Sequence, residues 1–117
     1  MIRPARSTDT RPSAEPAQLP AASERPTWTF LTNHGHVLLA VATGLDRRVN
    51  DIAEEAGITT RATLTILNDL ENGGYLRRTR IGRRTHYTLD PRRHFRHHLT
   101  ADHEVGELLA VFTTPAP

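Results

Sequence analysis

Two short helical patterns separated by one glycine constrain the fold of this 117-residue chain most strongly. Apolar residues recur at helical spacing before Gly57 and again after it. They are Ile52, Ala53 and Ala56 in the first pattern and Ala62, Ile66, Leu67 and Leu70 in the second. Gly57 can adopt the left-handed conformation that a short turn needs. Thr59 or Thr60 can then cap the second helix by accepting from its first free N–H groups. The sequence therefore predicts two helices joined by a tight turn, which is the helix-turn-helix pattern.

A β-hairpin pattern follows the second helix directly. Gly73 and Gly74 end the helix, and Tyr75-Leu76 begins a strand. Ile81-Gly82-Arg83 is expected to form a turn, and a second strand is expected from Thr85 to Leu89. The predicted fold class is mainly α with a small β-hairpin wing.

These segments resemble those of the winged helix-turn-helix transcriptional regulators, in particular the MarR-like and ArsR-like branch. The resembling residues are Asp51-Ile52-Ala53, Ala56-Gly57-Ile58-Thr59, Asp69-Leu70-Glu71, Gly74-Tyr75-Leu76, Gly82-Arg83-Arg84, His86-Tyr87 and the lead-in Trp28 to His34. The resemblance covers roughly Trp28 to Leu109. It implies a winged helix-turn-helix fold whose second helix enters the major groove of double-stranded DNA. It also implies a homodimer on a palindromic operator.

Composition divides the chain into four parts. Residues 1–27 contain five prolines and almost no large apolar side chain, so they are expected to form a disordered tail. We expect residues 28–90 to form the DNA-binding domain, 91–112 a basic connector and a C-terminal amphipathic helix, and 113–117 a second tail. Thr100 is expected to cap the C-terminal helix, which can pack on its own domain or on a second copy. Its apolar stripe consists of Val105, Leu108, Leu109 and Phe112.

Arginine is concentrated in the hairpin and in the segment after it. From Tyr75 to His98, eight arginines stand against the single acid Asp90, although the whole chain has a formal charge of only +2. All fifteen residues counted as Lys or Arg are Arg, whose guanidinium binds phosphate and guanine better than an ammonium does. Such a concentrated basic stripe predicts a polyanionic partner.

The second helix and the hairpin supply the candidate DNA contacts. If the apolar series faces the core, the outward residues of the helix are Thr60, Arg61, Leu64, Thr65 and Asn68. Arg61 can bind guanine and Asn68 can bind adenine through paired hydrogen bonds, while Leu64 can contact thymine methyl groups. Leu64 stands where related helices usually carry a polar residue, which favours backbone and shape recognition. Alternatively, the helix is rotated so that Leu64 is buried.

The hairpin adds a second set of candidate DNA contacts. They are Arg78, Arg80, Arg83, Arg84 and His86. Arg83 and Arg84 lie at the turn, from which they can reach phosphates or a narrow minor groove. The alternative is that these arginines form an ordinary solvated face.

The histidine-rich segment after the hairpin has three interpretations. It can contact phosphates, serve as a solvated linker, or act as a metal or proton sensor. The third is considered because His94, His97 and His98 have ligand-like spacing.

The sequence gives little support to other classes of function. There is no cysteine, which excludes a disulfide framework or a thiol nucleophile. No apolar run approaches membrane-spanning length and no signal peptide follows Met1, so a cytoplasmic location without membrane contact is expected. An enzyme is not expected, and neither are catalytic residues, a metal or a cofactor. The modest size of the core favours dimerisation.

The predicted function is a DNA-binding transcriptional regulator. The alternative is a winged-helix module that binds protein or structured RNA without a specific DNA operator.

Overall fold

The computed structural model describes residues 26–113. Within them the elements follow in the order α1 (Asn33–Ala42), α2 (Val49–Ala56), α3 (Thr60–Asn72), β1 (Leu76–Ile81), β2 (Arg84–Leu89) and α4 (Val105–Thr113). The expected class, mainly α with one antiparallel hairpin, is confirmed. The tail expected at residues 1–27 lies almost entirely outside the described residues, as do residues 114–117. None of the helices between residues 26 and 113 is long and apolar enough to cross a membrane.

Capping residues set the boundaries of the first three helices. The Thr32 hydroxyl accepts from the Gly35 N–H at 3.2 Å and begins α1. The Thr59 hydroxyl accepts from the Ala62 N–H at 3.0 Å and begins α3. Each hydroxyl satisfies an N–H that has no partner inside its helix. Gly57 ends α2 with a φ of 77°, which a residue with a Cβ adopts only with strain. The short turn between α2 and α3 therefore forms where the sequence predicts it.

The apolar sides of the helices and the hairpin meet in one core. Its largest fully buried side chains include Tyr87 of β2, Leu67 of α3 and Ile52 of α2. Helix α1 packs against α2, α3 and α4, and its Val37 and Val41 are fully buried. Burying one such side chain contributes about 1.5–3 kcal/mol. Helices α1 and α2 therefore fix the orientation of α3, and Tyr87 attaches the hairpin to the same core.

Strands β1 and β2 pair antiparallel, with Leu76 opposite Leu89 and Ile81 opposite Arg84. The second strand begins at Arg84, one residue earlier than expected. Gly82 lies in the turn with a φ of 62°. Because side chains alternate between the faces of a strand, Arg78 lies on the same face as Leu76, which is buried.

The base of the hairpin is hydrogen-bonded to the loop between α1 and α2. The Tyr87 N–H donates to the Leu45 carbonyl at 2.9 Å. Beside it, His86 Nδ1 lies 2.7 Å from Asp46 Oδ1. These bonds hold β2 along a segment that is distant in sequence.

The C-terminal helix begins later than the sequence predicts. Thr100 does not cap it, because α4 starts at Val105. The Thr100 hydroxyl instead donates to the His97 carbonyl at 3.2 Å, and the His103 N–H donates to the Thr100 carbonyl at 2.9 Å. A threonine that bonds to the local backbone favours a turn as readily as a helix start. The prediction was wrong because threonine is common both at the start of a helix and in a turn.

Only part of the expected apolar stripe of α4 is covered. Val105 and Leu109 are buried against the core, and Leu108 is half-buried. Phe112 is 58% exposed and Val111 is 72% exposed. The first turns of α4 thus pack on their own domain, whereas its last turn presents apolar side chains to solvent.

Candidate nucleic-acid interface

Helix α3 presents the outward face that its pattern predicts. All five predicted contact residues are exposed: Thr60, Arg61, Leu64, Thr65 and Asn68. Leu64 is 42% exposed, so the alternative rotation that buries it is wrong. The fully buried polar residue of α3 is Thr63, which the apolar pattern did not identify. Its hydroxyl donates to the Thr59 carbonyl at 2.9 Å, which allows burial without an unpaired polar group.

The outward face of α3 carries no carboxylate. The two acids of the helix are held by partners: Asp69 Oδ2 lies 2.8 Å from His34 Nε2, and Glu71 is bonded to Arg78. The Arg61 side chain has no hydrogen bond or ion pair with any described residue. A phosphate or base that approached the first two turns of this face would therefore meet one unpaired guanidinium and no carboxylate of α3.

Arg78 joins the hairpin to α3. Its Nε donates to Glu71 Oε1 at 2.9 Å, and its Nη2 lies 2.7 Å from the same oxygen. The same Nη2 donates to Asn68 Oδ1 at 2.5 Å. The Arg78 side-chain hydrogen bond, assisted by the Arg78 backbone N–H, lowers the pKa of Glu71 below its usual value. Arg78 stays a predicted DNA contact, but its guanidinium already has two intramolecular partners.

His86 is also engaged within the protein, through Asp46 of the α1–α2 loop. Its imidazole is 40% exposed and the Asp46 carboxylate is 64% exposed. The pair therefore lies at the surface, where such an interaction contributes little to stability. The predicted contact at His86 would require the imidazole to serve DNA and Asp46 together.

The remaining predicted hairpin contacts are free. Arg80, Arg83 and Arg84 are exposed, and their side chains form no hydrogen bond or ion pair with the described residues. Arg77 is exposed and unpaired in the same way, although the sequence analysis did not include it among the candidate contacts. Strand alternation could have identified it, because Arg77 must face away from Arg78.

The outward face of α3 and the arginine hairpin adjoin at the contact between Asn68 and Arg78. We define the arginine face as the outward residues of α3 together with the predicted hairpin arginines that have no side-chain partner among the described residues. These residues are Thr60, Arg61, Leu64, Thr65, Asn68, Arg80, Arg83 and Arg84. At the other end of α3, the Thr60 hydroxyl donates to Asn50 Oδ1 at 2.9 Å, which ties the start of the helix to α2.

The connector, residues 91–104, is exposed but hydrogen-bonded to the domain. Arg93 Nε donates to the Gly73 carbonyl at 3.0 Å, at the C-terminal end of α3. The Tyr75 hydroxyl donates to the His94 carbonyl at 2.5 Å. Arg92 and Arg96 have no side-chain partner among the described residues, so phosphate contact stays a prediction for them.

The connector histidines do not converge on a common point. His94 Nδ1 lies 2.8 Å from the Ala101 carbonyl, whereas the rings of His97 and His98 stack with centroids 4.4 Å apart. Among residues 26–113, no three His, Asp or Glu side chains are grouped so that they could hold a metal ion. The geometry gives the metal-sensor interpretation no support.

A cavity of about 750 Å³ lies away from the arginine face. Its walls come from α1, the end of α3, the connector and α4, and they include Leu38, Leu70, Tyr75, Phe95 and Leu108. The α3 residues that line it are Asp69, Leu70 and Asn72, which all follow the outward residues, so the cavity lies at the C-terminal end of the helix.

No protein-family model matches the sequence. A search of curated proteins also gives no significant match. The function has to be inferred from the residues of this chain and their geometry.

Proposed function

We propose that this protein is a DNA-binding transcriptional regulator of the winged helix-turn-helix type. Helix α3 is the recognition helix and enters the major groove, and the hairpin is the wing. The observation that carries the proposal is the bond from Arg78 Nη2 to Asn68 Oδ1 at 2.5 Å. It brings the outward side of α3 and the arginine-bearing strand together, as a surface that meets one duplex requires.

Base recognition is assigned to the first two turns of α3. Recognition helices contact base edges mainly through their N-terminal residues, which places Arg61, Leu64 and Thr65 nearest the bases. An unpaired guanidinium such as that of Arg61 binds the O6 and N7 atoms of guanine. The apolar parts of Leu64 and Thr65 suit thymine methyl groups.

Backbone affinity is assigned to the hairpin. Arg80, Arg83 and Arg84 are free to bind phosphates or to enter a flanking minor groove. Each neutralised phosphate releases condensed counterions, so binding has to weaken as salt concentration rises.

A homodimer on a palindromic operator fits the exposed apolar residues. Trp28 and Phe30 are 67% and 93% exposed, and their rings meet edge to face with centroids 5.1 Å apart. The last turn of α4 adds Val111 and Phe112. Exposed side chains of this size favour burial against a second copy. Two recognition helices would then enter successive major grooves about 34 Å apart. A cytoplasmic location follows from this role and is part of the proposal.

A second candidate function is a winged-helix module that binds protein or structured RNA. Two exposed apolar side chains favour it, namely Leu64 on α3 and Ile81, which is 63% exposed, at the end of β1. Apolar side chains in such positions suit a protein surface better than a phosphate backbone.

Selection from a pool of random DNA duplexes tests the proposed function. We expect the full chain to enrich one motif that contains a guanine. We expect Arg61→Ala to relax the preference at one position, because it removes a base contact. Arg84→Ala is the matched control, since it removes the same charge from the hairpin and should leave the motif unchanged. Uniform weak binding to all duplexes would favour the interaction module instead.

A further inference from the structure

We propose that Arg78 is a positioning residue and not a DNA ligand. It orients the Asn68 side chain so that this amide offers only N–H donors to DNA. Asn68 then selects a hydrogen-bond acceptor, which is an oxygen or nitrogen of guanine or thymine, or a phosphate oxygen. This inference rests on the proposed function, since it concerns the same surface.

Two of the three nitrogens of the Arg78 guanidinium have partners within the protein. Its Nε and Nη2 groups are shared between Glu71 Oε1 and Asn68 Oδ1 at distances of 2.5 to 2.9 Å. The Glu71 carboxylate also accepts from the Arg78 backbone N–H at 3.3 Å. With a carboxylate in direct contact, the local charge sums to zero. A phosphate gains little from such a guanidinium, because it would meet the Glu71 charge as well.

The bond from Arg78 turns the Asn68 oxygen toward β1 and the NH₂ group away from it. An asparagine amide has an acceptor oxygen with two lone pairs and an NH₂ group with two donors. Its oxygen accepts from the charged Arg78, and such charge-assisted bonds are the strong ones. The NH₂ group has no partner among the described residues and belongs to an exposed side chain. The free group of Asn68 is therefore a pure donor.

A donor-only amide reverses the usual preference of asparagine. A free asparagine binds adenine by accepting from its N6 amino group and donating to its N7. Arg78 holds the Asn68 amide with its oxygen toward β1, so the adenine amino group would face N–H donors. Guanine presents two acceptors, O6 and N7, and thymine presents O4. The Asn68 preference expected from the sequence alone, adenine, is replaced by guanine or thymine.

The position of Asn68 makes this orientation matter. Asn68 follows Arg61, Leu64 and Thr65 at helical spacing, so all four lie along one exposed stripe of α3. Two residues beyond Arg78, Arg80 shares its strand face and has no partner among the described residues. Arg80 is the neighbouring cation that is free for phosphate, which makes it the matched control.

The test compares the wild-type full chain with Arg78→Met, Arg78→Lys, Arg80→Met and Asn68→Ala, after thermal unfolding has shown that each variant is folded. Two quantities are measured: the motif selected from random duplexes, and the slope of log affinity against log salt concentration. The Asn68→Ala variant shows whether Asn68 contacts a base or a phosphate. If Asn68 contacts a base, one position of the selected motif loses about tenfold in its discrimination between bases. A phosphate contact lowers affinity on all duplexes alike.

The expected result for Arg78→Met depends on that acceptor. For a base contact, the position that Asn68→Ala relaxes shifts toward adenine, because the amide is free to turn. For a phosphate contact, Arg78→Met weakens binding as Asn68→Ala does. The salt slope is compared in the double variant Arg78→Met/Glu71→Gln, because Arg78→Met alone leaves the Glu71 carboxylate unpaired beside the DNA. In both cases the slope of the double variant stays at the wild-type value, whereas Arg80→Met lowers it by about 1. Arg78→Lys restores part of the wild-type behaviour, because its ammonium can donate to Asn68 Oδ1.

Two results overturn the inference alone. One is a salt slope that falls by about 1 in the double variant Arg78→Met/Glu71→Gln, as in the control. The other is an Arg78→Met variant with wild-type motif and affinity. If Arg78→Met is unfolded, Asn68→Asp replaces it, since the introduced carboxylate can keep the bond to Arg78 but lacks the NH₂ donors. An undiminished preference for guanine or thymine in that variant would also overturn the inference. A wild-type protein that binds no duplex refutes the proposed function together with this inference.

Discussion

The hairpin and the connector are both rich in arginine, but their side chains have different partners. In the hairpin, Arg80, Arg83 and Arg84 have no side-chain partner among the described residues. In the connector, Arg93 donates to the Gly73 carbonyl at the end of α3. Both segments expose unpaired arginines, Arg92 and Arg96 in the connector among them, but only the connector has an arginine side chain that donates to a backbone carbonyl.

The backbone explains this difference. In strands β1 and β2 a regular ladder pairs the backbone groups that face the partner strand, so few side chains are needed to satisfy them. The connector has no ladder of that length, and its backbone groups need other partners. Side chains supply several of them: Asp90 Oδ1 accepts from the Arg92 N–H at 3.1 Å, and His94 Nδ1 lies 2.8 Å from the Ala101 carbonyl.

Removing the aromatic anchor of each segment should give the largest difference between them. Tyr87→Ala in the hairpin is expected to lower the free energy of unfolding by about 3–5 kcal/mol, because the ring is fully buried. Phe95→Ala in the connector should cost about 1–2 kcal/mol, because Phe95 is only partly buried against the core. Urea denaturation measures both. Equal losses would show that the connector supports the core as strongly as the hairpin does.

Tyr87→Phe is the control for the hydroxyl group. The Tyr87 hydroxyl oxygen is buried and has no partner among the described residues, and burial raises its pKa. Deleting an unpaired buried polar group should be neutral or stabilising. A loss above about 1 kcal/mol would reveal a hydrogen bond to that hydroxyl in solution.

Two glycines test how tightly each segment is held. Gly74 has a φ of 84° and Gly82 a φ of 62°, so alanine is strained at both, by about 1–2 kcal/mol. A Cβ at Gly74 would also overlap the Arg93 guanidinium, whereas a Cβ at Gly82 would meet nothing. We therefore expect Gly74→Ala to destabilise the protein more than Gly82→Ala in thermal or urea unfolding. Equal effects would mean that Arg93 leaves its position without cost.

Single-arginine deletions compare the two segments in DNA binding. Arg84→Ala is expected to lower the log–log salt slope by about 1 and the affinity at 0.1 M salt by about eightfold on all duplexes. Arg92→Ala removes the same charge from the connector and should change the slope by less than half as much. Binding titrations at several salt concentrations measure both. A change confined to one operator, with an unaltered slope, would contradict the role of Arg84.

The smallest effects concern pH. Arg78 holds the pKa of Glu71 below its usual 4.5, so this pair stabilises the fold above pH 4.5 and the contribution is lost as pH falls through the lowered pKa. At the start of α4, the hydrogen bond that His103 donates to the Glu107 carboxylate raises the pKa of His103 above 6.5. That contribution is fully present below pH 6.5 and is lost as pH rises through the raised pKa.

Unfolding free energy as a function of pH separates these two pairs. Glu71→Gln should flatten the acid side of the profile, and His103→Gln should flatten the region just above pH 6.5. Both effects are small, because the side chains are substantially exposed. If Glu71→Gln changed the neutral region and not the acid side, the Arg78 pair would not be the cause.

The sequence predicted features that depend on local patterns. The apolar spacing of α3 identified which side chains face outward, and Gly57 and Thr59 located the turn. It did not predict features that depend on a choice between partners. Arg78 looks like any other hairpin arginine until the fold brings Glu71 and Asn68 beside it. Thr100 was misassigned because one hydroxyl can serve either a helix start or a turn.

The bond between the Tyr87 N–H and the Leu45 carbonyl, at 2.9 Å, holds the base of the hairpin more firmly than its turn is held. At its base, Tyr87 is fully buried, so we expect its amide to exchange with solvent only when the domain opens on a large scale. Around Gly82, where a Cβ would meet nothing, exchange needs only a local fluctuation. Such a hairpin can adapt the shape of its turn to a binding partner while its base stays packed against the domain.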